Sequence, residues 1–311
     1  MEQAPTHPST VGVILPLGEG RMEGQTACWS DLLAMSRRAE EVGFDSIWFV
    51  DHLLSQQSAG PIIGVWECWS LLAAVAASTS RVEIGTLVAC TAFRNPALVA
   101  KMADTVDEIS NGRLVLGLGA GHFEREFGAF GFPFDHRASR FEEALAIIAG
   151  LLRDGRIDVH GRFYSARDCE LRPRGPRALG PPLMVGTIGP RMLRLTARHA
   201  DIWNVYFDKT GNSPDALPAL RARVDEACVA EGRDPATLER SASVIIGMDG
   251  RTCMEGVPTR LFAGNSSAIV DELLAYTRQG VTRLQVRLEP NTVESIEQFA
   301  AVLRLFREAT A

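Results

Sequence analysis

Eight short apolar runs rich in β-branched residues alternate with longer amphipathic stretches along this 311-residue chain. This alternation is typical of repeated βα units, in which each helix returns the chain to the same end of a parallel sheet. The predicted strands are VGVIL (11–15), FDSIWFV (44–50), RVEIGTLV (81–88), RLVLGLG (113–119), PLMVG (182–186), DIWNVYF (201–207), SASVIIG (241–247) and TRLQVRL (282–288). Eight such units in a chain of this length predict an α/β fold, a (β/α)8 TIM barrel that forms one domain over residues 1–311.

Two segments interrupt the βα pattern. Residues 156–171 alternate around His160-Gly161, which predicts a small β-hairpin inserted between the fourth helix and the fifth strand. Residues 248–265 have weak periodicity and three glycines, which predicts a mobile loop after the seventh strand. Both segments are loop insertions that a barrel tolerates.

Composition and charge limit the classes of partner. The formal net charge of −6 argues against a nucleic-acid-binding protein, because phosphate binding depends on a basic face. No apolar run reaches the roughly 18 residues that a membrane span needs. The amino-terminal MEQAPTHPST also lacks the basic and apolar regions of a signal peptide. We therefore expect a cytoplasmic protein that acts on a small molecule, with neither nucleic acid nor a membrane as partner.

Metal and covalent catalysis find little support in the motifs. The histidines show no H-E-x-x-H or comparable ligand spacing, and no G-x-S-x-G nucleophile elbow is present. We therefore expect no metal site. An organic cofactor is the better explanation for the glycine-rich turns that follow two of the strands.

The active site of such a barrel lies at the carboxyl ends of its strands. The second strand ends in Asp51-His52, which places an acid and an imidazole at the barrel mouth. Histidine transfers protons near neutral pH, and a neighbouring carboxylate can orient it. The alternative is structural, with Asp51 capping a turn and His52 packing against its neighbours; the barrel position favours the functional interpretation.

Glycine-rich turns follow the fourth and fifth strands. Gly117-Leu118-Gly119-Ala120-Gly121 precedes His122, and a turn of this kind lets a ligand approach the backbone closely. The G-x-G-x-G spacing does not match a Rossmann fingerprint. In the turn 186–189 the backbone N–H groups of the next helix, with Arg191 or Arg194, would suit a phosphate. A plain βα loop is an equally good interpretation of that second turn.

Several of these motifs, in order, resemble the bacterial luciferase-like family of flavin and deazaflavin oxidoreductases. The matching stretches are GFDSIWFVDHLL, IGTLVACTAFRNPALVAKMADTVDEISNGRLVLGLGAG, EFGAFGFPF and PPLMVGTIGPRMLRLTARHADIWN, within about residues 11–205. The pattern is most similar to the branch that uses the deazaflavin coenzyme F420. A (β/α)8 barrel is the fold of that family, so the resemblance and the strand pattern agree.

The resemblance implies a cofactor site at the ends of strands two to five. Asp51 and His52 would face the ring with His52 as acid/base, a bulge behind the ring would carry a cis Leu87–Val88 peptide, and the turn at 186–189 would hold the phosphate. The implied cofactor-binding residues are Asp51, Thr86, Leu87, Val88, Gly119, Ala120, Gly121, His122, Gly186, Thr187, Ile188 and Gly189. The aromatic residues Phe127, Phe130, Phe132 and Phe134 are expected to pack the following loop and helix.

Two positions depart from the pattern of the F420 branch. Its sugar-phosphate dehydrogenases have a glutamate as proton donor where this chain has His122, and a tryptophan where it has Gln56. A sugar-phosphate substrate is therefore not expected, and His122 either replaces the acid or shapes the pocket.

The resemblance predicts an F420-dependent oxidoreductase that transfers a hydride to or from a small organic substrate, with His52, Asp51 and His122 at the catalytic centre. One alternative is a monooxygenase that uses reduced FMN and molecular oxygen. A second is a non-catalytic flavin-binding protein on the same scaffold. Homodimerisation is common in the family and is carried over as an expectation.

Overall fold

Eight parallel strands close into a barrel in the computed structural model, which describes residues 9–56, 60–253 and 259–310. The barrel strands are β1 (Thr10–Ile14), β2 (Ser46–Phe49), β3 (Glu83–Thr86), β4 (Leu114–Gly119), β5 (Leu183–Gly186), β6 (Ile202–Val205), β7 (Glu239–Gly247) and β8 (Arg283–Glu289). Each strand pairs with the next, and β8 pairs with β1, where Val11 lies opposite Leu284. The predicted (β/α)8 barrel is confirmed.

Helices surround the barrel and cover its apolar outer face. The principal ones are α1 (Trp29–Val42), α2 (Cys68–Ser78), α3 (Pro96–Ile109), α4 (Arg137–Asp154), α5 (Pro190–His199), α6 (Leu217–Ala230), α7 (Ser266–Arg278) and α8 (Val293–Thr310). The local sequence signals set their ends. The left-handed Gly43 ends α1, with φ of 103°. The side chain of Asn95 accepts from the backbone of Ala97 at the start of α3. None of the described helices is long and apolar enough to cross a membrane.

Insertions lie between the βα units. The strands Arg156–His160 and Ser165–Glu170 pair antiparallel, which confirms the predicted hairpin. A second hairpin, Leu54–Gln56 with Ile62–Gly64, was not predicted and follows β2 directly. Of the loop predicted over 248–265, residues 254–258 lie outside the described residues, and Phe262 beyond them is buried.

The glycines of β4 permit a close approach to the end of β3. A Cβ atom on Gly117 would lie 2.0 Å from the backbone oxygen of Thr86, and one on Gly119 would lie 2.6 Å from Val88 Cγ2. The hydroxyl of Thr86 donates to the backbone oxygen of Gly117 at 2.7 Å. The peptide between Leu87 and Val88 is cis, as the resemblance implied. These glycines therefore serve the packing of the β3 bulge.

Replacing Gly117 by alanine is expected to lower the free energy of unfolding by about 1–3 kcal/mol or more, because the added methyl group has no space beside the Thr86 carbonyl. Gly128 is the matched control: it lies in the helix Glu124–Phe130, and a Cβ there would meet no atom within 4 Å. Gly128→Ala should stabilise by about 0.5–1 kcal/mol. Denaturant unfolding measures both, and equal effects would contradict the packing argument.

Candidate active site

A cavity of about 800 Å³ opens at the carboxyl ends of the barrel strands. All of the residues predicted for the site line this cavity except Thr86, which lies fully buried behind its wall. A cavity of this size and position is typical of cofactor and substrate sites in such barrels. The structure therefore brings the sequence motifs of four strands together at one place.

His52 is held by a carboxylate that the sequence analysis did not identify. Its Nδ1 lies 2.9 Å from Oε1 of Glu126, and the side chain of Glu126 is only 1% exposed. The second oxygen of Glu126 accepts from the backbone N–H groups of Leu53 at 3.0 Å and Leu54 at 3.3 Å. Because an ionised carboxylate only accepts hydrogen bonds, the proton in the His52 contact belongs to Nδ1. Nε2 is then the basic nitrogen of the neutral ring.

His122 meets His52 edge-on. The ring centroids are 5.2 Å apart and the ring planes are almost perpendicular, at 89°. Burial, and next the neighbouring His52, lower the pKa of His122 below its ordinary value. His122 is therefore suited to stay neutral beside His52.

Asp51 has a structural role that differs from the predicted one. Its carboxylate accepts two hydrogen bonds from Arg94, at 2.7 and 3.1 Å, and one from the backbone of Cys90 at 2.9 Å. Arg94 also donates to Glu67, the residue that caps α2, at 2.6 Å. The prediction that Asp51 orients His52 is therefore wrong: Asp51 lies at the cavity wall, but its charge fixes the β3 loop to α2.

The turn at 186–189 leads into a helix that no described side chain caps. Gly189 precedes Pro190 at the start of α5, and a Cβ on Gly189 would meet nothing within 4 Å. The first N–H groups of a helix bind anions, so this turn can hold a phosphate. The predicted help from arginines is wrong, since Arg191 bonds to Ser139 and Glu142 on the exterior and Arg194 binds Glu231.

Most of the aromatic residues after β4 pack as predicted. Phe127 is fully buried and contacts both Phe93 and Phe134, with ring centroids 5.1 Å apart in each pair. Phe132 packs on Phe93 at 5.0 Å. Phe130 is the exception, because it is 51% exposed. This cluster supports the helix Glu124–Phe130 and so fixes Glu126 beneath His52.

Comparison with known proteins agrees with this geometry. The model of the luciferase-like monooxygenase family matches residues 9–252. The chain belongs to this family. The part of the chain that the family model covers includes the first seven barrel strands and all of the motifs discussed above.

The similar proteins include some that are named monooxygenases and others that are named F420-dependent dehydrogenases. A pyrimidine monooxygenase RutA from Methylorubrum extorquens strain PA1 is 34% identical over 249 residues, which are 75% of this chain and 65% of that protein. An F420-dependent hydroxymycolic acid dehydrogenase from Mycobacterium tuberculosis is 30% identical over 272 residues, 85% of this chain and 70% of that protein. The chain spans between 51% and 65% of the length of the first curated relatives.

A solved F420-dependent secondary alcohol dehydrogenase, in complex with an F420–acetone adduct, has the same fold. The TM-score is 0.82 at 19% sequence identity, covering 96% of this chain and 99% of that one. The comparisons therefore establish the family and the fold. They do not choose between the F420-dependent enzymes and the monooxygenases of the family.

Proposed function

We propose that the protein is an F420-dependent oxidoreductase that transfers a hydride between the deazaflavin and a small organic substrate. The observation that carries the proposal is the His52–Glu126 pair at the wall of the cavity. Hydride transfer to or from an oxygen-bearing carbon requires a partner that moves a proton at the same time. A relative named an F420-dependent dehydrogenase supports the same branch.

The residues of the cavity fit a flat cofactor with a phosphate. Leu87 and Val88 form an apolar wall beside the turn that carries His122. Beyond the neighbouring end of β5, the uncapped start of α5 and the open space at Gly189 suit a phosphate group. Bound there, the deazaflavin would supply the carbon that gives or takes a hydride.

The protein's own contribution is proton handling. Glu126 fixes the tautomer and the orientation of His52, as the carboxylate of a catalytic triad does for its histidine. His52 would then accept the proton of a substrate hydroxyl at Nε2, or return it when the reaction runs in the other direction. His122 stays neutral beside it and would contribute hydrogen bonds without a competing charge.

A monooxygenase that uses reduced FMN is the second candidate. The similarity to the pyrimidine monooxygenase from Methylorubrum extorquens favours it. The same cavity would accept FMN, since both cofactors combine a tricyclic ring with a phosphate. The two functions differ in their use of oxygen, because a deazaflavin passes hydrides and reacts poorly with oxygen.

Titration of the purified protein with F420 and, separately, with FMN tests the proposal. Fluorescence or heat is followed, and we expect F420 to bind at least about tenfold more tightly. Preference for FMN would overturn the choice of cofactor and make oxygen uptake the next assay. Binding of neither cofactor would contradict both candidates.

Variants at Gly189 test the phosphate site within the same titration. Gly189→Asp is expected to weaken F420 binding by about tenfold or more, because a carboxylate would then occupy the phosphate position. Asp and Asn are both good helix caps, so neither variant should destabilise α5. Gly189→Asn is the matched control without the charge, and equal losses for both variants would argue against an electrostatic role.

A further inference from the structure

An amide side chain on β6 lines the cavity and has no role in the site described so far. Asn204 lies within the buried stretch IWNV and is only 2% exposed. The sequence analysis did not single it out, because the apolar residues around it indicate only a strand. A buried polar side chain needs hydrogen-bond partners. The bonds that Asn204 makes within the protein therefore show which of its atoms is available to a ligand.

Both amide hydrogens of Asn204 are used by the protein. Nδ2 donates to Oγ of Ser241 on β7 at 2.9 Å and to Oε1 of Gln285 on β8 at 3.0 Å. Nε2 of Gln285 in turn donates to the same oxygen of Ser241 at 2.6 Å. Ser241 and Gln285 are fully buried, so this triangle of side chains holds the amide of Asn204 in one orientation. The carbonyl oxygen Oδ1, an acceptor, is the atom that Asn204 offers to the cavity.

Oδ1 of Asn204 lies beside the part of the wall that is proposed to carry the cofactor ring. A Cβ atom on Gly186 would lie 3.8 Å from this oxygen and 3.3 Å from Cγ1 of Val88. A Cβ atom on Gly119 would approach the other methyl group of Val88, so the Val88 side chain lies between the ends of β4 and β5. Asn204 and Val88 both line the cavity. The acceptor therefore stands at the edge of the apolar surface on which a flat ring would rest.

We propose that Oδ1 of Asn204 accepts a hydrogen bond from the imide N–H of the cofactor ring. This inference rests on the proposed function, because it assumes that a deazaflavin or a flavin lies on the apolar wall. An acceptor selects for a donor, and the imide N–H is the ring donor that the oxidised forms of both cofactors share. A ring that turned a carbonyl oxygen toward Oδ1 would leave two acceptors facing each other. Asn204 therefore fixes which way round the ring binds.

Titration with matched pairs of ring compounds tests the proposal without turnover. FMN is compared with 3-methyl-FMN, and 5-deaza-FMN with 3-methyl-5-deaza-FMN, because the methyl group replaces the imide hydrogen and leaves the phosphate in place. Ring fluorescence gives the dissociation constants. We expect the methyl group to weaken binding by about tenfold or more, since it removes the donor and leaves the acceptor unpaired. Equal affinities within each pair would overturn the assignment.

Asn204→Leu separates the hydrogen bond from the bulk of the methyl group. Leucine has a similar shape and no acceptor, so the methylated and unmethylated rings should bind this variant with affinities within about threefold of each other. A tenfold methyl penalty that persists in the variant would overturn the proposal. If the leucine variant does not fold, Asn204→Ser gives the same test with a hydroxyl left for the network. Ser243→Ala is the matched control: Ser243 donates to Gln285 at 3.3 Å without lining the described cavity, and the penalty should remain.

The outcome is separable from the choice of cofactor. The methyl penalty is expected in whichever ring pair binds, so it can be present when FMN is preferred, and it can be absent when F420 is preferred. Titration of Asn204→Leu with F420 completes the test. We expect about three- to tenfold weaker binding than in the unsubstituted protein, because one hydrogen bond is lost. Unchanged affinity for F420 would contradict the role of Asn204, and binding of no ring compound by the folded protein would overturn both proposals.

Discussion

Replacing His52 by alanine is expected to slow turnover by roughly 10²–10⁴-fold while leaving cofactor affinity nearly unchanged. The reason is that the proposed mechanism assigns the proton to His52 at the cavity wall, whereas the turn proposed to hold the phosphate lies at the end of β5. Steady-state rates, followed by the absorbance of the deazaflavin with a substrate found by screening, measure the first quantity. The cofactor titration measures the second.

His160→Ala is the matched control for this experiment. His160 lies exposed on the hairpin and bonds to Ser165, so its loss should leave the rate unchanged. Glu126→Gln should give an intermediate loss, because the amide can hold the ring but no longer stabilises the protonated form. Full turnover in His52→Ala would remove this residue from the mechanism.

Removing the guanidinium of Arg94 is expected to cost about 3–5 kcal/mol of the free energy of unfolding. In Arg94→Met the carboxylate of Asp51, which is only 3% exposed, would remain buried with one hydrogen bond, from Cys90. The cap of α2 would also lose its contact with the β3 loop. Chemical denaturation measures the loss of stability, after a check that each variant unfolds in a single transition.

Two comparisons make this prediction specific. Arg167→Met breaks an ion pair with Asp158 in which both side chains are more than half exposed, and should change stability by less than about 1 kcal/mol. The double variant Asp51→Asn with Arg94→Met should recover part of the loss, because no buried charge is left. A small effect of Arg94→Met alone would mean that water reaches Asp51.

The barrel could be predicted from the sequence because its signal is repeated. Each βα unit carries an apolar run of strand length and an amphipathic helix, and eight weak signals in order leave few alternative folds. The strand ends were predicted less accurately than the strands themselves. The run predicted over 81–88 is a strand only over Glu83–Thr86, and pairing with β4 resumes beyond it at Ala89–Cys90.

The polar partners of the site were predicted less well, and Asp51 and His52 show why. Side chains that are adjacent in an extended segment point to opposite sides, so neighbours in sequence need not meet. Asp51 binds Arg94, and His52 binds Glu126, which is 74 residues away along the chain. A pairing at that separation leaves no local pattern. The one available signal was the charge of Glu126 at the start of a run that is otherwise apolar and aromatic.

The glycines at the end of β4 have a packing role that the sequence analysis did not predict. The sequence analysis assigned them to the approach of a flat cofactor. In the structure, a Cβ on Gly119 would meet Val88, and one on Gly121 would meet Phe127 at 2.5 Å. Glycine signals a close approach to the backbone. It does not reveal whether the approaching atoms belong to a ligand or to the protein.

The sharing of Glu126 between His52 and the hairpin at 54–64 has a consequence for directed evolution. One oxygen of Glu126 holds the imidazole and the other holds the backbone of Leu53 and Leu54, where the hairpin begins. Mutant libraries that rebuild the first strand of this hairpin would therefore disturb the position of His52 as well. The second strand, Ile62–Gly64, places Ile63 at the cavity wall without that connection, and is the better segment to diversify for new substrates.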